Sequence, residues 1–191
     1  MHHRHHSHVL QLDIQGTPQA WISLEHAAIH MATGSVAWVD GDGPLATLRG
    51  GFNVARGGRS VIDVHPIIAL RGASKVNLFD IVPAIGRRKL FRRDRFTCAY
   101  CGQRFAEHDL SCEHIVPQAR GGGWGWMNLV TACGPCNGRK ADRTPEEAGM
   151  PLLYLPYVPS RFEGFLLEGR HIRADVHEWL AARLPKGSRL S

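Results

Sequence analysis

No apolar run in these 191 residues is long enough to cross a bilayer. The longest, such as Ile67 to Leu70 and Pro151 to Leu155, fall far below the ~20 residues that a spanning helix needs. The N-terminus, Met1 to His8, has neither the apolar stretch nor the small-residue cleavage site of a secretory signal, so a reducing, cytoplasmic setting is expected. No Gly-x-Gly-x-x-Gly links a strand to a helix and no Gly-Lys-Ser/Thr is present, which excludes the dinucleotide and P-loop fingerprints. No fibrous repeat shows. What is present is ordinary for a folded chain: 43% hydrophobic and 21% charged residues argue against wholesale disorder. The length suits one domain or two small ones and excludes a large multidomain machine.

Acidic residues are in the minority, 17 against 23 lysines and arginines, and the excess is local. Residues 9–85 carry five basic and six acidic side chains, residues 86–150 eleven and seven, and residues 151–191 six and four. A polyanionic partner is therefore expected at the middle segment, where clustered cations release condensed counterions from a phosphate backbone. The chain is read as a His-rich tail (1–8), an N-terminal α+β unit (9–85), a central domain (86–150) and a C-terminal extension with a helix (151–191). The tail has the composition of a purification tag or natural tail, with loose metal binding as the other reading.

In the N-terminal unit, Val9 to Ile14 alternate as a short strand, and Thr17-Pro18 turns the chain. A helix follows, capped by Ser23, with Glu25 in its first turn, Leu24, Ala28 and Met31 on one face and Gly34 at its end. Ser35 to Val39 and Leu45 to Leu48 read as a hairpin around Asp40-Gly41-Asp42-Gly43-Pro44. Gly50-Gly51 and Gly57-Gly58 bracket a loop, and His65-Pro66 interrupts a strand over Ser60 to Val64. Val82 to Gly86 is linker-like. The basic run Arg87 to Phe96, which includes Arg92 and Arg93, reads either as a solvated helix face or as a nucleic-acid contact.

Cys98-x-x-Cys101 and Cys133-x-x-Cys136, with 31 residues between the pairs, form a zinc-site pattern, since each pair fits a tight knuckle and Zn²⁺ takes four such ligands in a closed tetrahedron. Two disulfides or a redox pair are the competing readings, disfavoured by the reducing setting and by the presence of two pairs. Cys112 is left over and reads as an inert buried thiol.

Between the pairs lie Glu113-His114-Ile115-Val116-Pro117, then Asn128-Leu129-Val130-Thr131-Ala132, and the second pair closes with Asn137, Arg139 and Lys140. In this order, inside the cysteine frame, these residues resemble the HNH endonuclease family over about sixty positions from Arg93 to Gly149. The resemblance implies a ββα-metal finger that hydrolyses phosphodiester bonds in DNA and leaves a 5′ phosphate, with Asn128 holding His114 in its productive tautomer. One departure is Glu113, where aspartate is commoner in the family. The expected architecture is α+β: a small N-terminal α+β unit, a zinc-braced ββα-metal nuclease domain and a C-terminal helix.

The residues support that chemistry on their own terms. Glu113 and Asn137 offer the hard oxygens that suit Mg²⁺ or Mn²⁺, and such an ion keeps positions for water and phosphate. His114 is the candidate general base. If residues 110–116 form a strand, Glu113 and His114 point to opposite faces, so their cooperation demands a twist or bulge at the strand end. Lys140, three residues after Asn137, is placed to reach a phosphate oxygen, and Arg139, Arg120, Arg92 and Arg93 are candidate backbone contacts. Trp124 and Trp126 can stack on bases, although packing under the loop is preferred for both. The rival reading is a catalytically inactive, zinc-braced nucleic-acid-binding module, and a lesser one is a zinc domain for protein contacts. Thr144-Pro145-Glu146-Glu147 reads as a helix start, residues 151–170 as irregular wrapping, and Ile172, Val176, Trp179, Leu180 and Leu184 as one helical stripe.

Overall fold

The computed structural model describes residues 8–72, 81–168 and 171–190, so the tail at 1–7 lies outside the described residues. The chain is a mixed α+β protein. Its first elements are β1 (His8–Leu12), β2 (Pro18–Ser23), α1 (Leu24–Ala32), β3 (Val36–Asp40), β4 (Ala46–Asn53), β5 (Gly58–Val64) and β6 (Ile67–Leu70). Then come α2 (Arg87–Arg93), β7 (Leu110–His114), β8 (Leu129–Cys133), α3 (Gly134–Lys140), α4 (Arg161–Glu168) and α5 (Ala174–Ala181). They divide into two compact units, Met1–Ile81 with Gly169–Arg183, and Val82–Glu168 with Leu184–Ser191. The segment 151–191, read from sequence as one extension, is thus shared between the units.

In the first unit the strand order is β2-β1-β6-β3, with β1 antiparallel to β2 and parallel to β6, and β3 antiparallel to β6. The central strands are nearly continuous in apolar residues, and Val9, Leu10, Leu12, Ile67, Ile68 and Ala69 are all buried, as strands covered on both faces require. Helix α1 starts where the sequence places it: Ser23 Oγ accepts the His26 N–H at 3.3 Å, and Glu25 lies in the first turn. Leu24, Ala28 and Met31 pack on the cluster of Val9, Ala27, Val64 and Ile68.

The expected hairpin across Asp40 to Pro44 does not form. Strand β3 pairs with β6, and β4 pairs with β5. The physical reason is the wholly apolar β6, which needs a neighbour on each side, whereas β4 and β5 can pair as a separate ribbon. Gly50 and Gly51 lie inside β4 rather than at a loop edge, at an irregularity between Arg49 and Phe52. A Cβ at Gly50 would stand 2.3 Å from Ser60 Oγ, so a larger residue there would force the exposed Ser60 hydroxyl to turn away. In α5, Val176, Trp179 and Leu180 are buried, as the stripe predicts.

In the second unit, β7 and β8 pair antiparallel from Leu110↔Cys133 to His114↔Leu129, and α3 follows β8 directly, giving a ββα element. Helix α4 falls where irregular wrapping was expected. Its start carries a capping box: Ser160 Oγ accepts the Glu163 N–H at 3.3 Å, and Glu163 Oε2 accepts the Ser160 N–H at 2.7 Å. The pair Thr144 and Glu147 makes the same exchange, at 2.9 and 3.3 Å, yet introduces only turns before Gly149 at φ +62°.

The basic run is helix α2, and its charges are committed within the unit. Arg93, expected at a phosphate, is fully buried and uses every guanidinium donor. Its Nε and Nη2 bind Asp94 at 2.8 and 3.0 Å, Nη2 also reaches Leu129 O at 2.8 Å, and Nη1 reaches Trp126 O at 2.8 Å and Tyr157 O at 3.1 Å. Asp94 in turn accepts from the Thr131 N–H at 2.9 Å and from Arg189 at 3.1 Å. Arg92, also expected at the backbone of DNA, is half-buried with Nη1 on Leu167 O at 2.7 Å. Arg88 pairs with Glu107 at 2.8 Å and Lys89 with Glu168 at 2.7 Å. Leu90 and Phe91 draw this helix inward, and the charges then find carbonyls and carboxylates.

Replacing Arg93 by alanine strands three carbonyls and leaves buried Asp94 only Arg189 and the Thr131 amide as partners. The expected loss is about 3–5 kcal/mol of unfolding free energy, read by chemical denaturation; a loss under about 1 kcal/mol would contradict the structural role.

Candidate functional site

The first cysteine pair sits on a tight knuckle: the Gly102 N–H donates to Cys98 O at 3.0 Å and the Cys98 N–H to Gln103 O at 2.9 Å. The Ala99 N–H donates to Thr131 O at 2.8 Å, which fastens the knuckle to β8. The second pair spans the β8–α3 junction, with Cys133 closing the strand and Cys136 in the first turn of the helix. All four sulfurs lie within 4.8 Å of one another. A tetrahedral zinc with Zn–S bonds of about 2.3 Å places its sulfurs about 3.8 Å apart, so little movement closes the cage.

Burial pushes the Cys98 thiol up, but backbone hydrogen bonds from Cys101, Cys133 and Tyr100 outweigh it and bring it down to about 7. Burial raises Cys133 and Cys136. One sulfur is thus prepared to lose its proton and the others lose theirs on binding metal. The four cysteines are arranged to bind a metal of the kind zinc sites take. Cys112 packs against Leu90, Trp126, Leu129 and Leu167, and burial raises its thiol, as an inert cysteine requires.

On β7, Ser111 and Glu113 share the face that meets α3. Asn137 Nδ2 donates to Ser111 Oγ at 2.9 Å, and Lys140 Nζ donates to Glu113 Oε1 at 2.7 Å. Glu113 Oε2 and Asn137 Oδ1 accept no hydrogen bond among the described residues. A carboxylate oxygen and an amide oxygen, both on the α3 side of the strand, are donors that fit a hard divalent ion.

Lys140, expected at a phosphate, is fully buried instead. Besides Glu113 it donates to His114 O at 2.8 Å, because a helical step of three from Asn137 carries it over the strand end rather than into solvent. Asn128 is likewise relocated. It does not touch the imidazole: Oδ1 accepts the Val116 N–H at 2.9 Å, and Nδ2 donates to Val116 O at 3.1 Å and Gly123 O at 3.0 Å. It clamps the loop that follows His114.

The β7–β8 pairing reaches His114 without a bulge, so strand alternation sends the imidazole away from the α3 side. The twist that the sequence reading required is absent. The ring is half-buried, takes part in no hydrogen bond among the described residues, and stands 5.7 Å from the Trp124 ring, tilted by 59°. The two tryptophans of the loop differ. Trp126 is buried and donates Nε1–H to Pro83 O at 2.7 Å, whereas Trp124 is 57% exposed. Arg139 is exposed, with Nε on Met150 Sδ at 3.4 Å, and Arg120 is an exposed partner of Glu147 at 2.7 Å.

Two contributors were missed in the sequence. Ser111 orients Asn137, and a lone serine on a strand gives no signal of that. Tyr100, inside the first Cys-x-x-Cys, has a buried hydroxyl without a partner among the described residues. Burial, then the negative charge of Glu113, keeps its phenol protonated.

Residues 98–153 match a family model described as HNH endonuclease, which spans both cysteine pairs, β7, β8 and α3. The family that the motif resembles is the one that this segment matches, and that family acts on nucleic acid. No curated protein matches the chain.

Elemental analysis of the purified chain is expected to give about one zinc per molecule, with chelation lowering the unfolding temperature by several degrees. Less than a stoichiometric trace, or no change in chelator, would contradict a metal-braced fold.

Proposed function

We propose that this protein is a metal-dependent HNH endonuclease that hydrolyses phosphodiester bonds in DNA, with His114 as general base and with Glu113 and Asn137 holding Mg²⁺ or Mn²⁺. The observation that carries the reading is the division of labour at the end of β7. One side presents an imidazole without a hydrogen-bond partner among the described residues, and the other presents two hard oxygens that accept nothing. The four-cysteine site acts as a structural zinc centre beneath them, and a cytoplasmic setting keeps its thiols reduced.

When bound, the ion supplies Lewis-acid stabilisation of charge on the phosphate and the leaving oxygen. His114 takes a proton from the attacking water as the new P–O bond forms. The bond to the 3′ oxygen breaks, that oxygen gains a proton from solvent, and a 5′ phosphate remains. In-line displacement needs the attacking and leaving oxygens on opposite sides of phosphorus. Strand alternation parts His114 from Glu113, so a phosphate has to reach both groups around the end of β7, where the pairing with β8 stops at His114.

Lys140 positions both groups, by its bond to Glu113 Oε1 and its bond to the His114 carbonyl. Asn128 does the same for the backbone beyond His114. Arg139 and Arg120, both exposed, remain as phosphate contacts. No helix among the described residues is long and apolar enough to cross a membrane.

Supercoiled plasmid is expected to be nicked with Mg²⁺ or Mn²⁺, and His114→Ala to lower the rate by about 10²-fold or more, the usual size of a general-base contribution. Equal nicking by His114→Ala would remove the base, and plasmid binding without nicking under any metal would identify a nucleic-acid-binding module instead.

A further inference from the structure

We infer that Trp124 is a nucleobase-stacking platform beside the catalytic imidazole: it takes an unpaired base of the strand being cut, within one nucleotide of the scissile phosphate. The place of that phosphate rests on the endonuclease reading; the stacking does not require cleavage.

Trp124 is not needed for packing. Its loop already has an aromatic anchor in Trp126, 5% exposed and hydrogen-bonded to Pro83 O, while Trp124 leaves 57% of its surface open. Three residues further on, Met127 is 59% exposed. An indole in that position offers a broad π-face, which any base can cover irrespective of its hydrogen-bond pattern.

The platform is held in place. Asn128 makes three hydrogen bonds across the loop base, and the Gly122 N–H donates to Pro117 O at 3.1 Å. A Cβ at Gly122 would stand 1.7 Å from Val116 O, so only glycine permits this closure. The ring is therefore presented by a pinned loop, and its centroid lies 5.7 Å from that of His114.

Charge and substrate geometry agree. From His114 to Ala141 the sequence contains no aspartate or glutamate, and the exposed Arg139 lies within it, while Arg120 is paired with Glu147 and Lys140 is buried on Glu113. No acidic side chain of that segment repels a polyanion approaching the loop. A base inside an intact duplex is covered on both faces by its neighbours, so the free indole face selects one that is unpaired or already displaced.

The test is a fluorescence titration of the full-length, zinc-loaded chain, without added Mg²⁺ or Mn²⁺, into duplexes carrying 2-aminopurine at one unpaired or one paired position. Plasmid nicking with Mn²⁺ runs in parallel. Wild type is expected to quench the unpaired probe and to bind it more tightly than the paired one. Trp124→Phe keeps most of that preference; Trp124→Leu loses the quenching and binds the unpaired probe on the order of tenfold more weakly, with the paired probe unaffected. Zinc content and unfolding temperature of the variants verify that the fold is intact. If Trp124→Leu matches wild type on both probes, or wild type binds neither, the stacking proposal is overturned, whatever happens to the plasmid. If the Trp124 dependence appears and no protein nicks the plasmid, stacking stands and the endonuclease reading falls.

Discussion

A lysine ammonium without water has to find acceptors, and Lys140 finds both of its own at the end of one strand. Its bonds to Glu113 Oε1 at 2.7 Å and His114 O at 2.8 Å replace hydration that burial removed. Neither acceptor belongs to its own helix, so the charge ties α3 to β7 at the residue pair to which the proposed chemistry is assigned. Helical spacing does the rest: with Lys140 over Glu113, Asn137 lies one turn earlier, against Ser111. The carboxylate and the amide thereby come to the same side of the strand, each with one oxygen that accepts nothing among the described residues.

Around that contact the unit is braced by further polar centres. Arg93 and Asp94 form a second buried ion pair, and between them they hold Trp126, Leu129 and Tyr157 through carbonyls and Thr131 through its amide. The four cysteines join the knuckle to the β8–α3 junction. The Arg93–Asp94 pair holds β8 at Leu129 and Thr131, and the cysteines hold its end at Cys133. The loop between β7 and β8 is then closed by Asn128, so both ends of the segment that carries His114 and Trp124 are anchored.

The local signals were the legible ones. The Ser23 cap, the apolar stripe of α5 and the cysteine pairs each depend on residues a few positions apart, and the structure forms them as the spacing implies. The order of Glu113, His114, Asn128 and Asn137 inside the cysteine frame resembles the family whose model residues 98–153 match. Long-range choices were not legible. Strand β3 alternates well enough to pair with β4, yet the apolar β6 takes it. Arg93 looks like any base in a run of bases, and only the carbonyls converging from distant segments explain its burial. Lys140 and Asn128 were assigned partners by their expected roles, whereas the geometry of a helical turn and of a tight loop gives them others. The capping box of Ser160 and Glu163 was present in the sequence and passed over among the flanking prolines.

The buried charge of Lys140 and that of Glu113 depend on each other. A double-mutant cycle on the metal-loaded full chain, with Lys140→Met and Glu113→Gln measured by denaturant unfolding, tests it directly. Each single change should destabilise, by about 3–5 kcal/mol for Lys140→Met, and the double mutant should recover about 2 kcal/mol or more relative to the sum. Additive losses would show that the two side chains are not coupled, and the finger would then have to be held by other means.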